Sequence, residues 1–451
     1  MAVWSKVMSS SCGEALRLDA EYYKPDYLKY ANIISTGDLL ENTAKIIHPT
    51  EIKRIYEKEG LQILLAQNVR NNRLDFSATA FMPLSTKKRL ARNKLKYDDI
   101  LMTRTGANFG DAATYKGEPE EIYACADVLI IRANGVPGGY LSTYFNTKIG
   151  RALLTRGAYG MAQPHIAPSY INTMRLFRAD DDFEHEIDNL VSKAYSKEEV
   201  AKNLYAEAEE LLLRELGLDS LDLSPQISHT ANFSEAMDAR RLDAEYWRHQ
   251  YTKLIDSLRE IPHNNLSQLA SFSNGATPRG AEYLESGIPF LRIQNVNKNN
   301  LNLDDVVYID GKTHDKLLKR SQLKPGDVLI TITGRIGSSA VVPKNIPVGN
   351  INQHIVRLRL KNPQVNPYYL STFLNSTFGR LQTEREAYGT TREALPYYCL
   401  ERIIIPTALE EVQSRIEQKI LMAERLIDKS KILLEEAKHQ VEQMIISGGC
   451  E

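Results

Sequence analysis

The stretch Arg17-Leu-Asp-Ala-Glu-Tyr-Tyr23 returns as Arg241-Leu-Asp-Ala-Glu-Tyr-Trp247, 224 positions further along the chain. Other pairs of segments follow in the same order: 60–69 with 287–296, 99–106 with 327–334, and 158–160 with 387–389. A period of this length indicates two copies of a whole domain rather than a solenoid of small units. Because two similar halves present two similar surfaces, we expect a partner that has two similar sites.

Length and composition are those of an ordinary globular protein: 451 residues, of which 43% are hydrophobic and 25% charged. This length predicts roughly two to four domains, each able to bury its own core. No apolar run reaches the roughly 18 residues of a membrane span, and the N-terminus lacks a signal-peptide pattern, so the cytoplasm is the expected compartment. The four cysteines are scattered: Cys12, Cys125, Cys399 and Cys450. Their spacing predicts neither a zinc site nor a disulfide framework.

The formal net charge of −1 argues against a protein that coats nucleic acid without discrimination. Basic residues are nevertheless clustered at one place of the repeat, just before Asp99 and Asp327. The members that we expect to face DNA are Lys87, Lys88, Arg89, Lys319 and Arg320. A basic run on its own is usually a solvated helix face, whereas its recurrence favours a surface that faces phosphates, and both interpretations stay open.

Both halves have the same predicted order of elements, which defines a sheet-rich α+β fold. A short aromatic helix is followed by short apolar runs bounded by Gly, Pro and Asn, a pattern that is typical of strands. Strands are predicted at 61–66, 100–103, 128–131, 175–177, 328–332, 355–360 and 402–405. Helices are predicted at 140–155 and 369–383. The predicted domains are 1–180 with its leading box 17–30, a central helix 181–217, a linker 218–240, a second domain 241–407 and a C-terminal helix 408–446.

Each half closes with a long helix whose apolar residues recur at heptad spacing, which predicts a coiled-coil seam. In the first helix the seam residues are Phe183, Ile187, Leu190, Ala194, Ala201, Leu204, Ala208 and Leu211. In the second helix they are Val412, Ile416, Ala423, Leu426, Leu433, Ala437 and Met444, interrupted by Ser430. Because the phase matches in the two halves, we expect the helices to pair with each other, antiparallel if a two-fold axis relates the halves. The alternative is two amphipathic helices, each packed on its own domain.

Two stretches resemble catalytic motifs, but the repeat argues against both. Asn366-Pro-Tyr-Tyr369 is similar to the Asn-Pro-Pro-Tyr motif of adenine methyltransferases, but it lacks the second proline and has no counterpart in the first half. Pro25-Asp26 with Glu51-Ile-Lys53 fits a permissive nuclease pattern, and the second half lacks the carboxylate that a metal would need. The glycine-rich turns have no phosphate-binding lysine. The sequence therefore predicts no catalytic residues and no metal site in this chain.

Two sheet-rich domains in tandem, each preceded by a short box and followed by a coiled-coil helix, resemble the DNA specificity subunit (HsdS) of type I restriction-modification systems. The most specific part runs from Asn274-Gly-Ala-Thr-Pro278 through 287–296 and 323–329 to Thr333-Gly-Arg-Ile-Gly337. This succession is similar to a target recognition domain of that family. The first half has no Gly-x-Thr-Pro turn, so it is a more diverged copy.

The resemblance implies a non-catalytic, HsdS-like subunit that reads a split DNA target, one half-site for each domain, largely through the major groove. It also implies pseudo-two-fold symmetry and an antiparallel pair of helices that fixes the distance between the half-sites. The implied partners are double-stranded DNA, two methyltransferase subunits and restriction or translocase subunits, with no membrane. S-adenosylmethionine, Mg2+ and ATP would bind to partner subunits, and this chain would hold no cofactor.

Candidate base-reading residues are polar and basic side chains in predicted loops. In the first half they are Gln67, Asn68, Arg70, Arg104, Asn108, Gln163 and His165. In the second half they are Thr277, Arg279, Arg292, Gln294, Asn295, Arg335, Thr391 and Arg392. For Arg104 and Arg292 the alternative is a buried ion pair. For the two Gln-Asn pairs the alternative is a turn that caps the sheet.

Two other functions stay open. The chain fits equally the recognition subunit of another restriction class, which its neighbouring genes would distinguish. From a different class of protein, a structural adaptor would bind other proteins through the helices and the 23 tyrosines. Sequence-dependent DNA binding separates the adaptor from a specificity subunit.

Overall fold

The computed structural model describes residues 5–8, 17–76, 79–106, 108–160, 164–224, 226–278, 283–389 and 394–448. The chain divides into two compact units: unit 1 comprises Met1–Glu199 with Ile427–Glu451, and unit 2 comprises Val200–Leu426. The division falls inside both long helices and not at the predicted domain boundaries. Each unit therefore contains one sheet-rich domain and a part of each long helix.

Unit 1 is built from short strands and helices. Its strands are β1 (Asp38–Leu39), β2 (Ala44–Ile47), β3 (Leu61–Leu64), β4 (Val69–Arg70), β5 (Arg73–Leu74), β6 (Ala80–Met82), β7 (Ile100–Thr103), β8 (Ala112–Thr114), β9 (Tyr123–Ala124), β10 (Val128–Ala133) and β11 (Arg175–Leu176). Its helices are α1 (Pro25–Ile33), α2 (Leu40–Thr43), α3 (Gly138–Asn146), α4 (Lys148–Arg156), α5 (Pro168–Thr173) and the first part of α6 (Asp181–Glu215). The strand orders are β2-β10-β7-β8, β6-β3-β9, β4-β5 and β1-β11, with β3 parallel to β9.

Unit 2 has the same strand order, sheet for sheet. Its strands are β12 (His263–Asn265), β13 (Ala270–Asn274), β14 (Ile288–Leu291), β15 (Val296–Asn297), β16 (Asn300–Leu301), β17 (Val307–Ile309), β18 (Val328–Thr331), β19 (Ser339–Val341), β20 (Asn350–Ile351), β21 (Ile355–Leu360) and β22 (Ile404–Pro406). Its helices are α7 (Phe233–Ala239), α8 (His249–Glu260), α9 (Leu266–Leu269), α10 (Pro367–Asn375), α11 (Thr377–Glu386) and the first part of α12 (Glu410–Gly448). The stretch predicted as a linker thus contains α7. The sheets are β13-β21-β18-β19, β17-β14-β20, β15-β16 and β12-β22.

The central four-stranded sheet of unit 1 is buried on both faces, because side chains alternate between two cores along each strand. On β7, Ile100 and Met102 face the core that contains α3, while Leu101 faces the core of the second sheet. In unit 2, Val328 and Leu329 divide between two cores in the same way. Burying one such side chain stabilises the fold by roughly 1.5–3 kcal/mol. The apolar run Ile100–Met102 therefore marked β7, and the strands predicted at 100–103 and 355–360 are confirmed.

The single helix predicted over 140–155 is wrong, because α3 and α4 meet there at Thr147. The Thr147 side chain accepts a hydrogen bond from the Gly150 N–H at 3.0 Å and so starts α4. A side chain at Gly150 would collide with the carbonyl oxygen of Tyr144, so only glycine permits this close junction. The same break occurs at Ser376 in unit 2, between α10 and α11.

A buried asparagine ends the first helix of each junction and fastens that helix to the sheet. Asn375 Nδ2 donates to the carbonyl oxygens of Ser339 at 2.8 Å and Ser371 at 2.9 Å. It also donates to Asn299 Oδ1 at 2.7 Å, and its own Oδ1 accepts from the Ser339 N–H at 2.9 Å. Asn146 bonds in the same way in unit 1. These bonds tie α10 to the hairpin of β18 and β19.

A repeated ion pair links the neighbouring strands of each central sheet. Asp99, at the start of β7, accepts two hydrogen bonds at 2.7 Å from the Arg132 guanidinium on β10. Asp327 and Arg359 form the same pair in unit 2, at 2.7 and 2.6 Å. The aspartates that mark the repeat in the sequence therefore have a structural role.

The long helices α6 and α12 run antiparallel. In unit 1 the Phe177 ring, just before α6, lies against Gly448 at the end of α12. Further along α6, Glu198 accepts a hydrogen bond from Ser430 Oγ at 3.1 Å. In unit 2 Lys419 of α12 forms an ion pair with Glu207 of α6. The helices therefore contact each other in both units, as the heptads predicted.

One of the two predicted heptad positions is buried on each helix, except at Met444, and the other is mostly displaced by one residue. The buried residues of the first position are Ile187, Ala194, Ala201, Ala208, Ile416, Ala423 and Ala437, and Leu211 and Val412 are buried as well. The remaining predicted residues are only half-buried: Phe183, Leu190, Leu204, Leu426, Leu433 and Met444. Residues that the prediction missed are buried instead: Val191, Leu212, Ile420, Leu434, Val441 and Ile445. Each helix also packs on a globular domain, which widens its apolar face; the Phe183 ring, for example, contacts Tyr140 of α3 at 6.5 Å between centroids.

Candidate nucleic-acid interface

Several loops of unit 1 meet at one end of its sheets, because the parallel strands β3 and β9 end there together. The backbone N–H of Arg104, which follows β7, donates to the Asp127 carbonyl at 2.8 Å, and the Arg104 carbonyl accepts from the Ile166 N–H at 3.3 Å. The Cys125 N–H donates to the Leu64 carbonyl at 2.9 Å. We name this set loop edge 1; it comprises residues 48–54, 65–68, 104–106, 108–111, 125–127, 157–160 and 164–167.

Unit 2 assembles the equivalent loops with the equivalent backbone bonds. The Ile332 N–H donates to the His354 carbonyl at 3.0 Å, and the Leu395 N–H donates to the Ile332 carbonyl at 2.8 Å. The Asn352 N–H donates to the Leu291 carbonyl at 3.0 Å. We name this set loop edge 2; it comprises residues 274–278, 292–295, 332–338, 352–354, 387–389 and 394–395.

Loop edge 1 presents basic and aromatic side chains. Nη1 of Arg104 lies 2.8 Å from Nε2 of His48, which accepts the hydrogen bond in the tautomer that is protonated on Nδ1. The partner of Arg104 is therefore an imidazole and not the carboxylate of an ion pair. Beside it the ring of His165 stacks on Tyr159 at 5.8 Å between centroids, and Tyr159 is 47% exposed.

Loop edge 2 presents a network of hydroxyl, amide and imidazole groups and an exposed arginine. Thr333 Oγ1 lies 2.9 Å from Nδ1 of His354, and Gln353 Nε2 lies 3.2 Å from Nε2 of the same ring. Thr277 donates its hydroxyl to Gln353. Arg335, at the tip of the turn between β18 and β19, is exposed. Amides, hydroxyls and a guanidinium are the groups that recognise the edges of bases in the major groove.

Each predicted Gln-Asn pair contains one accessible and one buried residue. Asn68 is 1% exposed, and its Oδ1 accepts from the Leu65 N–H at 2.8 Å. Asn295 caps its turn in the same way, through the Arg292 N–H at 2.8 Å. The DNA contacts predicted for the two asparagines are therefore wrong, and the alternative of a capped turn is confirmed. The accessible candidates are Gln67 and Gln294.

Two other candidate arginines bond to the protein itself. Nη2 of Arg292 donates to the Asp305 carbonyl at 2.7 Å, in place of the ion pair that was the alternative. Nη1 of Arg70 donates to the carbonyl of its neighbour Val69 at 3.0 Å. Asn108 is half-buried in the turn between β7 and β8. Four candidates lie outside the described residues: Gln163, Arg279, Thr391 and Arg392.

Both basic clusters lie on short helical turns beside the loop edges. Their exposed members are Lys87, Lys88, Arg89, Lys319 and Arg320. In unit 1 Asn93 closes this segment and donates to the Thr50 carbonyl at 3.0 Å, which attaches the segment to loop edge 1. In unit 2 the Arg320 carbonyl accepts from Ser273 Oγ on β13 at 2.8 Å. Lys87 forms an ion pair with Glu121 at 2.8 Å.

Four side chains of the loop edges were not among the residues predicted from the sequence: His48, Arg54, Tyr159 and Tyr388. Arg54 pairs with Asp127 across loop edge 1. Tyr159 and Tyr388 occupy equivalent places and are 47% and 42% exposed. The repeated Ala-Tyr-Gly carried this signal in the sequence. His48 gave none, because only folding brings it to Arg104.

The stretch that resembles a methyltransferase motif starts a helix. Asn366 Oδ1 accepts from the Tyr368 N–H at 2.8 Å, and Asn366 Nδ2 donates to Glu417 at 2.8 Å. The Tyr369 hydroxyl is buried and donates to the Pro406 carbonyl at 2.7 Å. Across the described residues, no group of three or more His, Cys, Asp or Glu side chains is placed to hold a metal ion. Within the same part of the chain, no helix combines the length and apolarity needed to cross a bilayer.

Residues 263–442 match the model of the type I restriction modification DNA specificity domain family. The chain is HsdS-like. The specificity subunit of the type I restriction enzyme EcoBI from Escherichia coli is 26% identical over 137 residues, which are 30% of the HsdS-like chain. The match spans 28% of the EcoBI subunit.

Two solved structures are similar to the HsdS-like chain over most of its length. The type I S subunit from M. genitalium has a TM-score of 0.40 at 11% identity, covering 91% of this chain and 95% of its own. The HsdS subunit from Thermoanaerobacter tengcongensis has a TM-score of 0.28 at 13% identity, with the same coverage of 91% and 95%. Both TM-scores lie below 0.5, so the likeness to HsdS subunits rests on the residues that match the family model and the EcoBI subunit.

Proposed function

We propose that this HsdS-like chain is the DNA specificity subunit of a restriction-modification complex and reads a split target, one half-site with each unit. The observation that carries this proposal is the recurrence of the loop edge. The same backbone bonds assemble polar loops at one end of the sheets in both units, and an exposed basic segment lies beside each set. Two such edges suit a ligand that has two sites.

The two kinds of side chain divide the work of DNA binding. Lysines and arginines of the basic segments would contact phosphates, which supplies affinity without sequence information. The loop edges would contact bases, where an arginine such as Arg104 or Arg335 fits the two acceptors of guanine in the major groove. Each good base contact contributes about 1–3 kcal/mol of discrimination. The polar network around His354 and Gln353 offers both donors and acceptors for the same purpose.

The long helices would set the distance between the half-sites. Helices α6 and α12 contain 35 and 39 residues, and at about 1.5 Å per residue each is about 50–60 Å long. An antiparallel pair of this length is a stiff spacer, and a pseudo-two-fold arrangement would present its surfaces to two methyltransferase subunits. The chain itself would be non-catalytic and act in the cytoplasm, beside the chromosome. S-adenosylmethionine, Mg2+ and ATP would bind to the methyltransferase and restriction subunits.

The proposal is tested by mapping adenine methylation across the host genome, with the gene intact, deleted and restored. We expect deletion to remove one split motif with a fixed gap, and restoration to return it. Restoration with Arg335→Ala should return a motif that is relaxed in one half. Lys344→Ser, at an exposed residue after β19 that lies outside loop edge 2 and both long helices, is the control that should return the motif unchanged. An unchanged methylome, together with no sequence preference of the purified chain for DNA, would refute the proposal and favour the protein adaptor.

A further inference from the structure

The repeated box, residues 17–23 and 241–247, reaches the loop edge through stacked side chains. In unit 2 the Arg241 guanidinium is held by both carboxylate oxygens of Asp243, at 2.6 and 2.7 Å. Its central carbon lies 4.5 Å from the ring centre of Tyr246 and 4.0 Å from that of Tyr388. A second arginine, Arg385, lies 3.9 Å from the ring centre of Tyr246. Arg241 thus joins the box to Tyr388, the first aromatic residue of a loop-edge segment.

The stack is desolvated, which strengthens it. The Arg241 side chain is 7% exposed, and contacts between a cation and a ring are stronger away from water. The Arg241 guanidinium holds the pKa of Asp243 below its ordinary value through their hydrogen bonds, so the pair stays charged at neutral pH. Arg385 also donates from Nε to the Tyr246 carbonyl at 3.2 Å. The box is therefore fixed on both sides of its tyrosine residue.

Unit 1 contains the same arrangement in different detail. Arg17 is held by Asp19 at 2.5 and 2.8 Å, and its guanidinium lies 5.2 Å from the ring centre of Tyr22. Arg156 lies 4.1 Å from that ring and donates from Nε to the Tyr22 carbonyl at 3.1 Å. Arg17 reaches the loop edge by donating from Nη2 to the Ala158 carbonyl at 3.2 Å. Two independent copies thus use the box arginine to hold the start of the same segment.

The last residue of each box donates a hydrogen bond back to the first residue of the box. Tyr23 donates its hydroxyl to the Arg17 carbonyl at 2.9 Å, and Trp247 donates its indole N–H to the Arg241 carbonyl at 2.8 Å. The repeated Arg, Asp, Tyr and final aromatic residue therefore each have a place in the clamp. These contacts explain why most residues of the box recur in the two halves. The box itself lies outside the sheets.

The clamped segment crosses the loop edge. Tyr388 exchanges two backbone hydrogen bonds with Ala394, at 2.9 and 2.8 Å. Ala394 in turn bridges to Thr333 of the turn between β18 and β19. Tyr159, His165 and Thr105 make the equivalent bridges in unit 1. The clamp therefore acts on the segment that pairs with the glycine turn of each loop edge.

We infer that Arg17 and Arg241, with their stacked tyrosines, are positioning residues for base reading, and this inference rests on the proposed function. A loop with few buried apolar contacts samples many conformations unless other groups fix it. Discrimination between bases requires contacting groups to be held in place by a supporting layer of side chains. The box supplies that layer and acts through the segments that begin at Ala158 and Ala387, without touching DNA itself.

Selection from a pool of random DNA duplexes by the purified full-length chain tests this inference. Wild-type protein is expected to select a split sequence. Tyr246→Leu keeps apolar bulk but removes the ring face that stacks on Arg241 and Arg385. In this variant the affinity ratio between the selected half-site of unit 2 and a half-site with one substituted base pair should fall about tenfold. The half-site of unit 1 should stay unchanged, and Tyr22→Leu should produce the mirror result.

Matched variants separate positioning from folding. Tyr246→Phe keeps the ring and should retain discrimination, and Glu245→Gln changes an exposed residue of the same box, paired with Arg248, and should have no effect. If Tyr246→Leu fails to fold in a thermal melt, Asp243→Asn weakens the clamp more mildly and serves in its place. A folded variant that melts earlier but keeps full discrimination in unit 2 would overturn the inference. Wild-type protein that selects no split sequence would refute the proposed function and this inference with it.

Discussion

Replacing Asn375 with alanine is expected to destabilise unit 2 by about 3 kcal/mol, because the change removes three buried hydrogen bonds and leaves one N–H without a partner. The Ser339 N–H loses its acceptor, which costs about 1–3 kcal/mol. The Ser339 carbonyl keeps its bond from the Asn299 N–H, and Asn299 Oδ1 keeps its bond from Ser371 Oγ, so each of them loses one of two bonds, worth about 0.5–1.5 kcal/mol. The higher helix propensity of alanine offsets about 0.5 kcal/mol.

Urea unfolding measures this loss. Trp247 is buried in unit 2, so its fluorescence reports on the unit that carries the substitution. With an m-value of about 1–3 kcal/mol per molar urea, a loss of about 3 kcal/mol moves the midpoint down by roughly 1–3 M. Gln418→Ala on the exposed face of α12 is the control and should change stability by less than about 0.5 kcal/mol. A loss below about 1 kcal/mol for Asn375→Ala would show that water replaces the amide, and would refute the role of this residue as the tie between helix and hairpin.

Three further predictions concern the helices and the basic segments. Burial raises the pKa of Glu198 above the ordinary carboxyl value. The ionised side chain therefore destabilises the folded state once the pH exceeds the unfolded pKa of about 4.3. Glu198→Gln should raise the melting temperature at pH 7, and this gain should disappear towards pH 4. Ala423 is fully buried where the helices pair, and Ala423→Leu should cost about 1–3 kcal/mol in denaturant unfolding, whereas no loss would mean that the helices separate there. Lys88→Ser with Arg89→Ser should reduce the slope of log K against log salt by about 2, measured by DNA binding over a salt series, with Lys429→Ser as the unaffected control.

The fold was predictable where one physical cause dominates the sequence pattern. Strand β7 is buried on both faces, and its apolar run marked it correctly. Strand β21 was marked by β-branched and leucine residues that are interrupted by Arg357 and Arg359. The break between α3 and α4 was not predictable from periodicity, because the apolar pattern continues through it. The helix breaks because the Asn146 side chain bonds to Ala112, far away in the sequence, and the Thr147 side chain bonds to the Gly150 N–H, three residues ahead. The displaced seam has a similar cause, since a helix with two packing partners has an apolar face too wide for one heptad assignment.

The site was harder to predict than the fold, because repetition is evidence of structure and not of base reading. Asn68 and Asn295 recur in the two halves since both turns need the same cap. If the half-sites differ in sequence, the residues that read them must differ as well. Repeated polar residues are therefore the weaker candidates, although recurrence first drew attention to them.

The stronger candidates are positions where the two units share backbone bonds but differ in side chain. Arg104 corresponds to Ile332, because their backbones make the same hydrogen bonds. Each backbone N–H donates to the loop that follows β9 or β20, and each carbonyl accepts from the segment that follows α4 or α11. Asp127 corresponds to His354 by the same bonds, and His165 corresponds to Ala394 through its bridge to the neighbouring tyrosine. At these places the backbone is fixed and the side chain is free to vary. At these positions loop edge 1 has a guanidinium, a carboxylate and an imidazole, where loop edge 2 has an isoleucine, an imidazole and an alanine. The two units therefore share the backbone bonds that hold these loops, and they differ in the side chains that would meet different bases.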